Sequence, residues 1–114
     1  KGLKIEKYNF FALVLINGIA SASSVDPTTI EEVAVGPMWG SNVYIALSTI
    51  PSNYGDTSCQ ENSRYSYGFD ASSDSGKIYL SVVLAAYAAQ KEIKIGGTDT
   101  CTQGIENLNY IGSK

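Results

Sequence analysis

Residues 76–95 read GKIYLSVVLAAYAAQKEIKI, and from Ile78 to Ala89 nearly every position is apolar. The Ala- and Leu-rich run predicts a helix over 77–90, about four turns long. A helix on the surface of a small domain normally keeps one polar face. This one has apolar residues all round, so two sides need cover. Ile78, Val82, Ala85 and Ala89 form one stripe at i, i+4 spacing, expected to lie on the rest of the domain. Tyr79, Val83 and Tyr87 form a second, expected at a subunit interface, because so short a chain has little else to cover it. The run is too short to cross a bilayer, which takes about 20 apolar residues. Ser73 or Asp74 is positioned to cap the helix start.

The 114 residues suffice for one domain and little more. The first part of the chain differs from the rest. KGLKIEKYN carries three lysines, FFALVLINGIA is apolar, and SASS supplies small residues. That order matches a secretory signal peptide, with cleavage after Ala22 or Ser23. The expected division is therefore 1–23 as a signal peptide and 24–114 as one domain, starting near Ser24. The alternative is an N-terminal helix that belongs to the fold. Export implies a secreted or periplasmic protein, and in such a compartment Cys59 and Cys101 read as one disulfide. The loop it closes spans about 40 residues, worth ~3–4 kcal/mol in the chain-entropy description. Two buried thiols are the alternative.

Four strands follow from alternation. TIEEVAVG (29–36) is the first, with Val33 and Val35 on one face. NVYIALS (42–48) sets Val43, Ile45 and Leu47 against Tyr44 and Ala46. RYSYGFD (64–70) sets Tyr65, Tyr67 and Phe69 together, and EIKIGG (92–97) sets Ile93 with Ile95. IENLNYIG (105–112) is a less regular fifth. PMWGSN (37–42), 49–63 and TDTCTQG (98–104) read as loops, and SVDPTT as a turn-rich lead-in. The order places one helix between strands three and four. A mainly β, five-stranded OB-type barrel fits it; a ferredoxin-like or cystatin-like sheet is the alternative.

The net charge of −3 and the lack of a basic block argue against phosphate-directed nucleic-acid binding. Histidine is absent, which removes Ser–His and Cys–His nucleophile pairs and His-based metal sites. Glu31 and Glu32 are adjacent on a strand and point to opposite faces. Asp70 and Asp74 flank the helix start as caps. The serines of DASSDSG fit turn chemistry and lack the G-x-S-x-G elbow. These features predict a protein that is not an enzyme and uses no cofactor or metal. Aromatic residues are the stronger signal. Trp39 and Tyr54 fall in loops beside polar residues such as Ser41. Loop aromatics with polar neighbours can stack on a sugar ring and bond its hydroxyls; the alternative is a Trp39 that folds back as a plug.

IEEVAVGPMWGSNVYIAL, a long loop, and then GKIYLSVVLAAYAAQKEIKI together resemble the B subunits of subtilase-cytotoxin-like and pertussis-like bacterial toxins, over most of residues 29–97. The resemblance implies a secreted OB-type domain with a disulfide. It also implies a ring of five copies that binds host cell-surface glycans and carries an enzymatic A subunit. In those relatives a serine just before the first strand contacts the sugar. Here Asp26-Pro27-Thr28-Thr29 stands in its place, so the resemblance implies Thr28 as the hydroxyl, and the cysteines stand at other positions. The ligand-binding residues expected are thus Thr28, Trp39, Ser41 and Tyr54. The competing reading is an exported monomeric or dimeric domain that binds a protein, as an inhibitor or adhesion module.

Overall fold

The computed structural model describes residues 22–51, 59 and 64–114. Residues 1–21, which hold most of the expected signal peptide, and Tyr54 lie outside them. The elements in chain order are β1 (Ser24–Thr28), β2 (Ile30–Ala34), a 3-10 turn (Pro37–Trp39), β3 (Asn42–Leu47), β4 (Tyr67–Asp70), α1 (Asp74–Ala89), β5 (Ile93–Thr102) and β6 (Ile105–Ser113). The chain is mainly β with one helix. Its strands form one mixed sheet in the order β1-β5-β6-β4-β3-β2, antiparallel except for the parallel β4–β6 pair. Six strands in an unclosed sheet replace the five strands of a closed barrel. The additional strand is β1, where a turn-rich lead-in was expected. Pro27 has no N–H to give a ladder, and the register accordingly shifts between Val25 and Thr28. The two outer strands of this order, β1 and β2, are consecutive in the chain, with Thr29 alone between them.

The main core draws on every strand and on the helix. Ile30, Ile45, Tyr67, Val83, Ile93 and Ile95 are fully buried in it, with Val25, Val43, Phe69, Ala86 and Leu108 beside them. Each Val, Ile, Leu or Phe side chain among them contributes about 1.5–3 kcal/mol of transfer free energy. A bulge between Ile30 and Glu32 decides which face each β2 residue takes. It sends Ile30 and Val33 to the main core. Ala34 goes to a second, smaller cluster on the opposite face, with Tyr44 and Ile105. Val35 lies beyond the strand end and is exposed, contrary to its expected pairing with Val33. Tyr65 also departs from its expected partners. It precedes β4 and packs on the small cluster, while Tyr67 and Phe69 enter the main core. β5 runs on through Thr98–Thr102, where a loop was expected, so Cys101 is a strand residue.

The helix begins where the cap signals predict. Ser73 Oγ accepts a hydrogen bond from Gly76 N at 2.9 Å and donates to the Asp70 carbonyl at 2.8 Å. At the other end Gln90 adopts the left-handed conformation. Its side-chain amide donates to the carbonyls of Tyr87 and Ile30, which ties the helix end to β2.

The rotational setting of α1 reverses the expected one. Val83 is fully buried, and so cannot meet another subunit. Tyr79 packs edge-on against Phe69, with centroids 5.6 Å apart, and donates to the Asn109 carbonyl at 2.7 Å. Only Tyr87 of the expected interface stripe keeps substantial exposure. The outer face instead carries Ile78, 66% exposed, Leu84, 47% exposed, and the exposed Ala85, Ala88 and Ala89. Its polar member, Ser81, turns its hydroxyl back to the Lys77 carbonyl. No helix among the described residues is long and apolar enough to cross a membrane.

Candidate functional site

The 3-10 turn brings Trp39 back over the sheet. Trp39 N donates to the Gly36 carbonyl and Gly40 N to the Pro37 carbonyl. Gly40 has φ 64°, a left-handed conformation that glycine adopts without strain. Trp39 then stands edge-on to Tyr44 (5.4 Å, 89°) and to Tyr65 (6.1 Å, 75°), and the two tyrosines are 6.2 Å apart. Such T-shaped pairs add about 0.5–1.5 kcal/mol each beyond burial. Tyr44 lies flat where Gly68 has no side chain, and its hydroxyl donates to Gln103 Oε1 at 2.9 Å. Burial pushes the Tyr44 hydroxyl above its ordinary pKa. Trp39 is thus partly a plug, and Tyr44 and Tyr65 are the residues it closes on.

A charged rim borders this trio. The Tyr65 hydroxyl donates to Glu32 Oε2 at 2.7 Å, and Arg64 pairs with Glu32 Oε1. The Arg64 guanidinium also lies 5.9 Å from the centroid of the Tyr65 ring. Tyr65 first, then Arg64, holds the Glu32 carboxyl below the usual carboxylate range. The same bond holds Tyr65 above the usual phenol range. Glu32 is therefore an ionised acceptor at neutral pH and carries no proton to donate. Beyond the pair, a cleft of about 1000 Å³ opens between β2 and the last turns of α1, lined by Glu31, Glu32, Leu47, Arg64, Tyr87 and Gln90. The arrangement offers an aromatic edge, a fixed acid–base pair and an open groove, which suits recognition of a polar ligand.

The expected ligand-binding residues do not converge. Thr28 is 4% exposed, and its hydroxyl bonds to Ser48 Oγ at 3.1 Å at the β1–β2 joint. Trp39 sits at the opposite end of the β2–β3 hairpin. Ser41 belongs to a third cluster, donating to Asp70 Oδ1 at 2.6 Å beside Ser72 at the helix start. These serines hold the Asp70 carboxyl below its usual range, Ser41 first. Cys59 is buried and Cys101 exposed, and the two lie 2.6 Å apart, near each other but not at the distance of the expected disulfide.

Sequence reasoning missed Glu32, Arg64 and Tyr65 as a unit, because strand alternation assigns Tyr65 to the main core. It also missed Glu106, which is 1% exposed. Glu106 accepts from Ser23 Oγ at 2.5 Å, Asp99 N at 2.9 Å and Ser23 N at 3.3 Å. Ser23 Oγ also meets the Tyr67 hydroxyl at 2.7 Å. Burial, reinforced by the nearby Glu106 charge, pushes that hydroxyl far above its ordinary pKa. Comparison with known proteins finds no family model, no curated protein and no solved structure that matches this chain.

Proposed function

We propose that this chain is an exported, non-catalytic binding module of the toxin B-subunit kind. It is a self-associating OB-type domain that recognises cell-surface glycans and carries an enzymatic A subunit. In this reading β1 and β2 are one strand bent at Thr29. The order β2-β3-β4-β6-β5-β1 then returns to its own first strand and becomes a five-stranded barrel. The bend is supported at Ser48, whose N–H bonds to the Thr29 carbonyl and whose hydroxyl meets those of Thr28 and Thr29. Cys59 and Cys101 form the disulfide of the exported protein, a pairing supported by their juxtaposition.

The observation that carries the reading is the outer face of α1. Ile78, Leu84, Ala85, Ala88 and Ala89 form an exposed, largely apolar surface, with Ser81 its polar member, on a helix whose other side is already packed. A second copy of the chain covers it in the assembly, a ring expected to be a homopentamer, and the small alanines allow close approach. Glycans are placed at Trp39 and Tyr65, with the Arg64–Glu32 pair as polar rim. Sedimentation of the exported protein and a glycan array test the two parts separately. The array compares wild type with Trp39→Ala and with Arg64→Ala, which leaves the aromatic trio intact. Binding by wild type that both variants lose is the expected result. An array blank for wild type removes glycan recognition, and a strict monomer favours the protein-binding alternative.

A further inference from the structure

We infer that processing cuts the Ala22–Ser23 bond and that the α-amino group it releases pairs with the buried carboxylate of Glu106. The inference rests on the export part of the proposed function and on neither assembly nor glycan recognition. Two independent observations meet at this bond. In the sequence, Ala20-Ser21-Ala22 puts small residues at the third and first places before it, directly after the apolar run. That is the A-x-A pattern of a signal-peptide cleavage site. In the structure, Ser23 is 3% exposed and all its polar groups are engaged. Its N–H and hydroxyl bond to Glu106, its hydroxyl also meets Tyr67, and its carbonyl accepts from Gly97 N at 3.0 Å. A cut after Ser23 would strip Glu106, Tyr67 and Gly97 of these partners. A cut before it keeps them all.

The electrostatics of Glu106 point the same way. Its three donors, Ser23 N, Ser23 Oγ and Asp99 N, are neutral while the Ala22–Ser23 peptide is intact. The ion pairs among the described residues, Arg64–Glu32 and Lys114–Asp26, do not involve it. Buried acidic side chains in proteins are ordinarily paired with a cation or fully hydrogen-bonded. Hydrolysis changes this at one atom. Water gives its hydroxyl to the Ala22 carbonyl carbon and a proton to the Ser23 nitrogen. The resulting amine, with an ordinary pKa of about 7.7–8.0, takes up a further proton at neutral pH. That nitrogen already stands 3.3 Å from Glu106 Oε2, so the cation forms beside the carboxylate. Gly97 makes the space, since a Cβ there would overlap the Glu106 carboxyl. The first residue of the processed chain is therefore buried, and Glu106 gains its countercharge on leader removal.

The test expresses the full chain with its own leader in a secreting host and reads the intact mass of the product. A product beginning at Ser23 is expected. One beginning at Ser24 or later, or keeping any residue before Ser23, overturns the assignment. The purified product is then treated with an amine-acylating reagent near neutral pH, native and in urea, and α-amine modification is followed by peptide mass mapping. Pairing predicts native modification about ten-fold slower than in urea, the equivalent of one pKa unit. It also predicts a faster native rate in Glu106→Gln than in wild type. Equal native and urea rates in wild type overturn the pairing even if Glu106→Gln fails to fold. A folded Glu106→Gln with the wild-type rate overturns it too. A monomeric product with a protected Ser23 terminus leaves this inference standing while removing the ring.

Discussion

Truncating Val83 tests the rotational setting of α1, on which the identity of its exposed face depends. Val83 is fully buried, packed with Ala86 in the main core. Val83→Ala removes two methyl groups, at roughly 0.8 kcal/mol of transfer free energy each. A residual cavity adds about 24 cal/mol per Å³ that fails to collapse, so a void of about 40 Å³ contributes ~1 kcal/mol. The expected loss is about 2–3 kcal/mol. For a domain of this size that lowers Tm by roughly 10–20 °C. Urea unfolding followed by far-UV circular dichroism reads it, at two protein concentrations so that assembly can be separated from folding. The slope against urea should stay that of wild type. Ile78→Ala is the control. Its side chain is 66% exposed, so the monomer should change by less than about 0.5 kcal/mol. An unaffected Val83→Ala, or an Ile78→Ala that loses more, would refute this setting of the helix.

Other perturbations address other joints. Ser73→Ala removes the acceptor for Gly76 N and should destabilise by about 1 kcal/mol in the same urea assay. Gly76→Ala should lower stability by about 1–3 kcal/mol, because the added Cβ would overlap the Asp70 carbonyl oxygen. Tyr67→Phe deletes the hydroxyl that meets Ser23 Oγ, with an expected loss of about 1 kcal/mol on thermal melting. Asp70 has a lowered folded pKa, so its contribution is present above the ordinary carboxylate pKa and lost as pH falls through the lowered value. Asp70→Asn should therefore be less stable than wild type at pH 7, and the gap should narrow in acid, read by melting across that range.

The legible parts of the fold are those where local chemistry and burial agree. β3 alternates Val43, Ile45 and Leu47 against Tyr44 and Ala46, and the structure buries residues of both sets. The helix start is legible because Ser73 is a cap by residue type. β1 is hidden by Pro27, whose turn preference is overridden by pairing with β5 far along the chain. The end of β5 is hidden by Thr and Asp content and by Asp99, which takes φ 70° inside the strand. The inward face of α1 is hidden because Ala, Val, Leu and Tyr occur on all sides, so periodicity gives no phase. Tertiary partners set it, such as Phe69 and Asn109 for Tyr79 and Ile30 for Gln90. The same holds for the site. Glu32 and Arg64 are 32 residues apart, and Glu106 meets its partner Ser23 across 83 residues, a separation no local pattern spans.

Size-exclusion chromatography with light scattering on the exported protein, at micromolar concentration, addresses the apolar face of α1 most directly. The proposed function predicts a mass several times that of one chain, five-fold for the expected ring. It also predicts that Ala85→Asp, at the centre of the exposed face, gives a folded monomer. A wild-type monomer, or an Ala85→Asp protein that stays assembled, would contradict it.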